Sequence, residues 1–137
     1  MQEVDELVKD LVKNHGTNDP FMIADQKNIQ IIYEPLGTVF GYFHTYKRIP
    51  FIHLNNLLDD YLLRYVCAHE LGHAIKHRHV NTPFLKRSTL FSVDKIEREA
   101  HEFAVHLLTN GFSPEIGESL SSFLCRHGVP KEMSRYY

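Results

Sequence analysis

Four of the chain's ten histidines, His69, His73, His77 and His79, fall in one short stretch, and the first two bracket a glutamate in His69-Glu70-Leu71-Gly72-His73. Histidines four residues apart on a helix project from one face, about one turn apart. That spacing lets two imidazole nitrogens share a single metal ion, which the ligand types make zinc. Glu70, beside the first ligand, is placed to take the proton of a water activated by that ion. The chemistry needs this order of ligand, base, two spacers and ligand. Histidines on a solvated helix face would show the same letters, but here the pattern follows an apolar stripe inside a predicted helix.

A catalytic zinc needs a third protein ligand and an open position for water. Two candidates compete for the role. His79 stands where an extended His-Glu-x-x-His pattern places a third histidine, but that pattern needs a glycine to end the helix sharply, and Lys76 occupies the place. Without the glycine, His79 reads as a solvated residue near the helix end, where a cation suits the dipole. The other candidate lies in Glu97-Arg98-Glu99-Ala100-His101. Glu97 and His101 are four apart on the side of Ala100 and Ala104, small residues that allow close packing against the metal helix. This favours Glu97, and Glu99 reads as a solvated face residue.

The elements that must position these groups can be read from periodicity. Val4, Leu7, Val8, Leu11 and Val12 recur at helical spacing up to a stop near Gly16. Asn18-Asp19-Pro20 reads as a cap and first helical position for a short helix to about Gln26. Ile29 to Tyr33 is β-branched and aromatic. Val39 to Tyr46 and Ile49 to Leu54 read as a hairpin around Lys47-Arg48, with Pro50 at an edge or irregular position. From Leu57 the pattern is helical to about His77, and a loop containing Thr82-Pro83 runs to about Ser92. Ser92 or Asp94 caps a helix carrying Ile96, Ala100, Phe103, Ala104, Leu107 and Leu108, which Gly111 stops. Ser113-Pro114-Glu115 opens a last helix through about His127. The expectation is an α+β fold: a single domain over residues 1–137, with helices packed on a short, mostly antiparallel three-stranded sheet. The metal-site pattern falls on the central helix.

Composition narrows the function classes. A chain of 137 residues with 43% hydrophobic and 23% charged residues builds one globular core. The net charge of -2 and the scattered basic residues argue against direct DNA binding. Two cysteines, Cys67 and Cys125, are too few for a disulfide framework, and Cys67 reads as a buried thiol. The acidic start lacks signal-peptide order and no apolar run reaches membrane-spanning length, so a reducing cytoplasm is the expected compartment.

With these residues in place, the chain resembles the ImmA/IrrE family of zinc metallopeptidases. The resemblance rests on His69-Glu70-Leu71-Gly72-His73-Ala74 and on Glu97-Arg98-Glu99-Ala100-His101-Glu102-Phe103-Ala104 running into Leu107-Leu108. Upstream, an apolar strand precedes Gly41 and Ile52-His53-Leu54-Asn55, as in the family. The resemblance implies a gluzincin-like domain with zinc held by His69, His73 and Glu97, and Glu70 as base. It also implies a role for chains of this size as phage or mobile-element anti-repressors that cleave a helix-turn-helix repressor. Two departures stand out. His101 replaces the usual Asn or Asp, and as a histidine it can orient Glu97 or become a ligand itself. Leu107-Leu108-Thr109-Asn110-Gly111 replaces the family's Leu-Leu-Met-Pro ending.

The implied reaction is peptide hydrolysis, with Glu70 shuttling a proton from water to the leaving amine. Tyr46, His77 and His101 are the candidates for stabilising the oxyanion. The competing reading is a regulator with structural zinc that sequesters its repressor without cutting it.

Overall fold

The computed structural model describes residues 2–80, 82, 84–87, 90–92 and 94–137. Of the connecting loop expected around Thr82-Pro83, Pro83 lies outside these residues. Helix α1 (Gln2–His15) turns Val4, Val8 and Leu11 inward, as their spacing requires, and packs on a later helix, α4 (Lys95–Thr109). His106 Nδ1 on α4 lies 2.6 Å from Asp5 Oδ1 and ties the pair together. Asp19 accepts from the Phe21 N–H and caps α2 (Pro20–Gln26), whose first residue is the proline that needs no partner there.

Three strands follow, β1 (Gln30–Glu34), β2 (Val39–Tyr46) and β3 (Ile49–Asn55). Lys47 and Arg48 take φ of 49° and 68°, the left-handed pair that a two-residue hairpin turn demands. A fourth strand, β4 (Leu85–Lys86), pairs antiparallel with β2, giving the order β1-β3-β2-β4. The α+β class and the mostly antiparallel sheet stand, with one correction: the sheet has four strands rather than three. β1 runs parallel to β3, from Gln30 opposite Phe51 to Glu34 opposite Asn55, and the other two pairings are antiparallel. A strand of two residues carries too little pattern to be recognised. Pro50 pairs with Thr45 one residue before β1 begins to pair, so its missing N–H is not needed on that side.

One face of the sheet packs on helix α3 (Asp60–Lys76), and α4 packs on α3 from elsewhere around it. Every residue of α3 from Tyr65 to Ala74 is buried. A helix enclosed on all sides has no polar face, which is why apolar and chemically active residues alternate along it. Two glycines set the spacing of these layers. A Cβ on Gly41 would stand 2.7 Å from the His53 carbonyl oxygen and 2.8 Å from Val66 Cγ1, so only glycine lets α3 lie this close to β2. A Cβ on Gly72 would meet Phe103 Cδ1 at 3.0 Å, so the α3–α4 contact also rests on a missing side chain.

The expected start of α3 at Leu57 moves to Asp60. Asn55 Oδ1 accepts from the Leu57 N–H in a turn, and Asp59 Oδ1 then caps the helix through the Leu62 N–H. Asp94 occupies the N-cap of α4 without a side-chain bond, while Ser92 Oγ accepts from the Asp94 N–H. The last helix, α5, is shorter than expected, spanning Leu120–Arg126 rather than beginning at Ser113. Gly117, at φ 81°, breaks the earlier turn, and Ser119 supplies the cap through the Ser122 N–H. A 3₁₀ helix (Lys131–Tyr136) docks on α4 and α5, burying Met133 and Tyr136.

Candidate metal centre

His69 and His73 project from the buried middle of α3, and Glu97 comes from the first turn of α4. Each offers a ligand atom, and the three atoms lie within 4.8 Å of one another. Among the described residues this is the sole cluster of its kind. His69 Nε2 donates to Glu97 Oε1 at 3.3 Å. His73 Nε2 and Glu97 Oε2 approach to 2.6 Å without hydrogen-bond alignment, and neither has another partner. Three buried ligand atoms gathered this closely, with His73 Nε2 and Glu97 Oε2 lacking any aligned hydrogen bond, form a set that could hold a metal ion. The donor set of two imidazoles and a carboxylate is that of a divalent transition metal.

Electrostatics agree with that fit. Burial works against the charge of Glu97, but the imidazoles of His69 and His73 hold its carboxyl well below the usual range. Burial also lowers His69, against the pull of Glu97, so the ring is neutral and free to ligate. Glu70 is fully buried, and neither of its carboxylate oxygens has a partner. Burial, and then the Glu97 charge, push its carboxyl well above the usual range. An unpartnered buried carboxyl costs stability and is kept where chemistry uses it.

The other sequence candidates are placed less centrally. His79 is exposed beyond the end of α3. Tyr46 is 58% exposed at the hairpin end, with Lys47 Nζ 5.5 Å from its ring centre. His77, at the C-cap of α3, has both ring nitrogens engaged, Nδ1 with His73 Nδ1 at 2.9 Å and Nε2 with Glu99 Oε1 at 3.2 Å. With no nitrogen left over, it has nothing to offer an oxyanion. His101 is buried with its ring centre 4.3 Å from that of His69, while its Nδ1 lies 2.6 Å from the Tyr65 hydroxyl. Burial and the neighbouring His69 push its imidazole down to about 2. Its Nε2 is buried and unpartnered, and the ring of Tyr136 stacks on it at 5.3 Å.

Three contributors escaped the sequence reading. Tyr65 looked like part of an apolar stripe, although it stands four residues before His69 on the same helix face. Tyr136 lies far along the chain and gave no signal. Glu99, read as a solvated residue, is half-buried and pairs with both His77 and Lys76, whose Nζ is 3.4 Å from Oε2. Cys67 is the buried thiol expected; burial and the Asp19 charge push it well above its usual range, which leaves it inert.

Residues 24–115 match a peptidase-family domain described as IrrE N-terminal-like, a span that holds the whole sheet, α3 and α4. Over 132 residues the chain is 44% identical to "immunity region protein 2", an uncharacterized protein of Bacillus phage phi105, covering 93% of this chain and 84% of the relative. Over 103 residues it is 34% identical to metallopeptidase ImmA of Bacillus subtilis strain 168, covering 74% of this chain and 60% of that relative.

Proposed function

The chain belongs to the peptidase family of the IrrE N-terminal-like domain, and on that premise we propose that it is a zinc-dependent endopeptidase that inactivates a helix-turn-helix repressor. The observation that carries the reading is the convergence of His69, His73 and Glu97 on one buried point, with the unpartnered carboxyl of Glu70 on the same helix. The names of the two relatives, an immunity-region protein and a metallopeptidase, support a proteolytic role in phage immunity. Among the described residues no helix is long and apolar enough to cross a membrane.

In this reading His69, His73 and Glu97 hold zinc, which when bound acidifies a water and polarises a carbonyl. Glu70 accepts the water's proton and returns it to the leaving amine. Neither oxygen of its carboxyl is tied up by another group, which leaves it free to take and return that proton. The buried setting strengthens each charge interaction relative to water. His101, whose buried ring centre lies 4.3 Å from that of His69, is the remaining candidate beside the ligand set, as an orienting partner of Glu97 or as a further ligand.

The test is co-expression with the partner repressor, comparing wild type, Glu70→Gln and a chelator-treated sample. Repressor fragments that appear only with wild type, while Glu70→Gln retains zinc, are the expected result. Relief of repression with the repressor left intact would instead point to sequestration and overturn the hydrolytic role of Glu70.

A further inference from the structure

His73 does not stand alone behind the metal point. Its Nδ1 lies 2.9 Å from His77 Nδ1, and His77 Nε2 lies 3.2 Å from Glu99 Oε1 on the facing helix. We propose that Glu99 and His77 form a positioning relay that fixes the tautomer and orientation of His73. The proposal rests on the reading of His69, His73 and Glu97 as zinc ligands.

The proton arrangement follows from donor counts. Glu99 is an acceptor, so His77 Nε2 must carry the proton between them. A neutral His77 then presents a lone pair at Nδ1, and His73 must donate its Nδ1 proton to it. His73 Nε2 is left as a bare lone pair, on the side of Glu97 Oε2 at 2.6 Å, as a metal ligand requires. The reverse arrangement sets a lone pair of His77 against a carboxylate oxygen and gives His73 a proton where it should bind the ion.

The relay is mechanically anchored at both ends. The backbone N–H of His77 donates to the His73 carbonyl at 2.8 Å, so the two rings are tied through main chain as well as side chain. Lys76 Nζ lies 3.4 Å from the other Glu99 oxygen, which keeps that carboxylate turned toward α3. Glu99 sits two residues after Glu97, so the helix that supplies the third ligand also steers the second. Lys76, where the alternative three-histidine pattern would have glycine, belongs to this arrangement.

The test uses the full chain with nitrogen-15-labelled histidine, titrated with zinc. In zinc-loaded wild type, long-range nitrogen–proton spectra are expected to show His77 protonated at Nε2 and His73 at Nδ1. Glu99→Gln is expected to mix the His77 tautomers, and His77→Phe to weaken zinc binding about 10- to 100-fold in competition with a chromophoric chelator. Glu99→Gln changes a half-buried residue by one atom and keeps the readout if the His77 variant does not fold. Wild type that binds zinc but shows His77 protonated at Nδ1 overturns the relay and leaves the metal site standing. Unchanged His77 tautomers in Glu99→Gln overturn it equally. Wild type that takes up no zinc at all overturns the metal site and the relay together.

Discussion

The substitution Gly72→Ala tests whether the close approach of α3 and α4 is what brings Glu97 to the two histidines. A Cβ at this position would stand 3.0 Å from Phe103 Cδ1 and 3.3 Å from both Cβ and Cγ of that residue. Carbon atoms pack best at about 3.5–4.0 Å, so the helices must part by up to about 0.5 Å. Phe103 is fully buried, and its Cβ cannot swing aside by changing rotamer. Overpacking of this kind costs about 1–3 kcal/mol, while alanine regains about 1 kcal/mol of helix propensity over glycine. The expected net loss of metal-free stability is therefore small, about 0–2 kcal/mol. Metal affinity should suffer more, because ligand distances tolerate only about 0.2 Å of error. A loss of about 10- to 100-fold is expected, comparable with removal of an orienting partner. Urea unfolding of the metal-free chain gives the first quantity and zinc competition with a chelator gives the second. A variant that loses stability as expected yet binds zinc as tightly as wild type would refute the coupling between packing and ligand placement.

Two further predictions concern the site and its support. His73→Ala and Glu97→Ala should both lose zinc on dialysis while His79→Ala retains it; retention by Glu97→Ala with loss in His79→Ala would move the third ligand to the loop after α3. Gly41→Ala should lower the urea midpoint by an amount equivalent to about 3 kcal/mol, the upper end for overpacking, because the added carbon meets a backbone oxygen that cannot rotate away; an unchanged midpoint would show that α3 does not depend on this glycine to reach the sheet.

The sequence was most legible where function and local geometry share a period. His69, Glu70 and His73 could be read together because one helical turn is a property of the chain itself. Glu97 required a judgement about packing, and Ala100 and Ala104 carried it. Glu99 was misjudged because its value comes from His77, twenty-two positions away, and no local pattern reports that distance. The same limit explains the sheet. The Lys47-Arg48 turn announces an antiparallel hairpin, but nothing within Gln30–Glu34 says that it will lie parallel to the second arm of that hairpin. Nor does Leu85–Lys86 show alternation over two residues. The early break at Gly117 was visible as a glycine and undervalued against the proline and serine before it.

The enclosure of α3 on every side has a consequence for how such a protein can diverge. The helix that carries the chemistry is also the one around which the sheet and α4 assemble, so most changes along it test folding before they test activity. Glu70 is the exception, since glutamine has nearly the same volume and removes an unpartnered buried carboxyl rather than creating one. A lineage that gives up catalysis has in that position a route requiring no repair elsewhere. Descendants that keep both histidines but have exchanged the glutamate would then be expected to retain the same architecture and to act through binding alone.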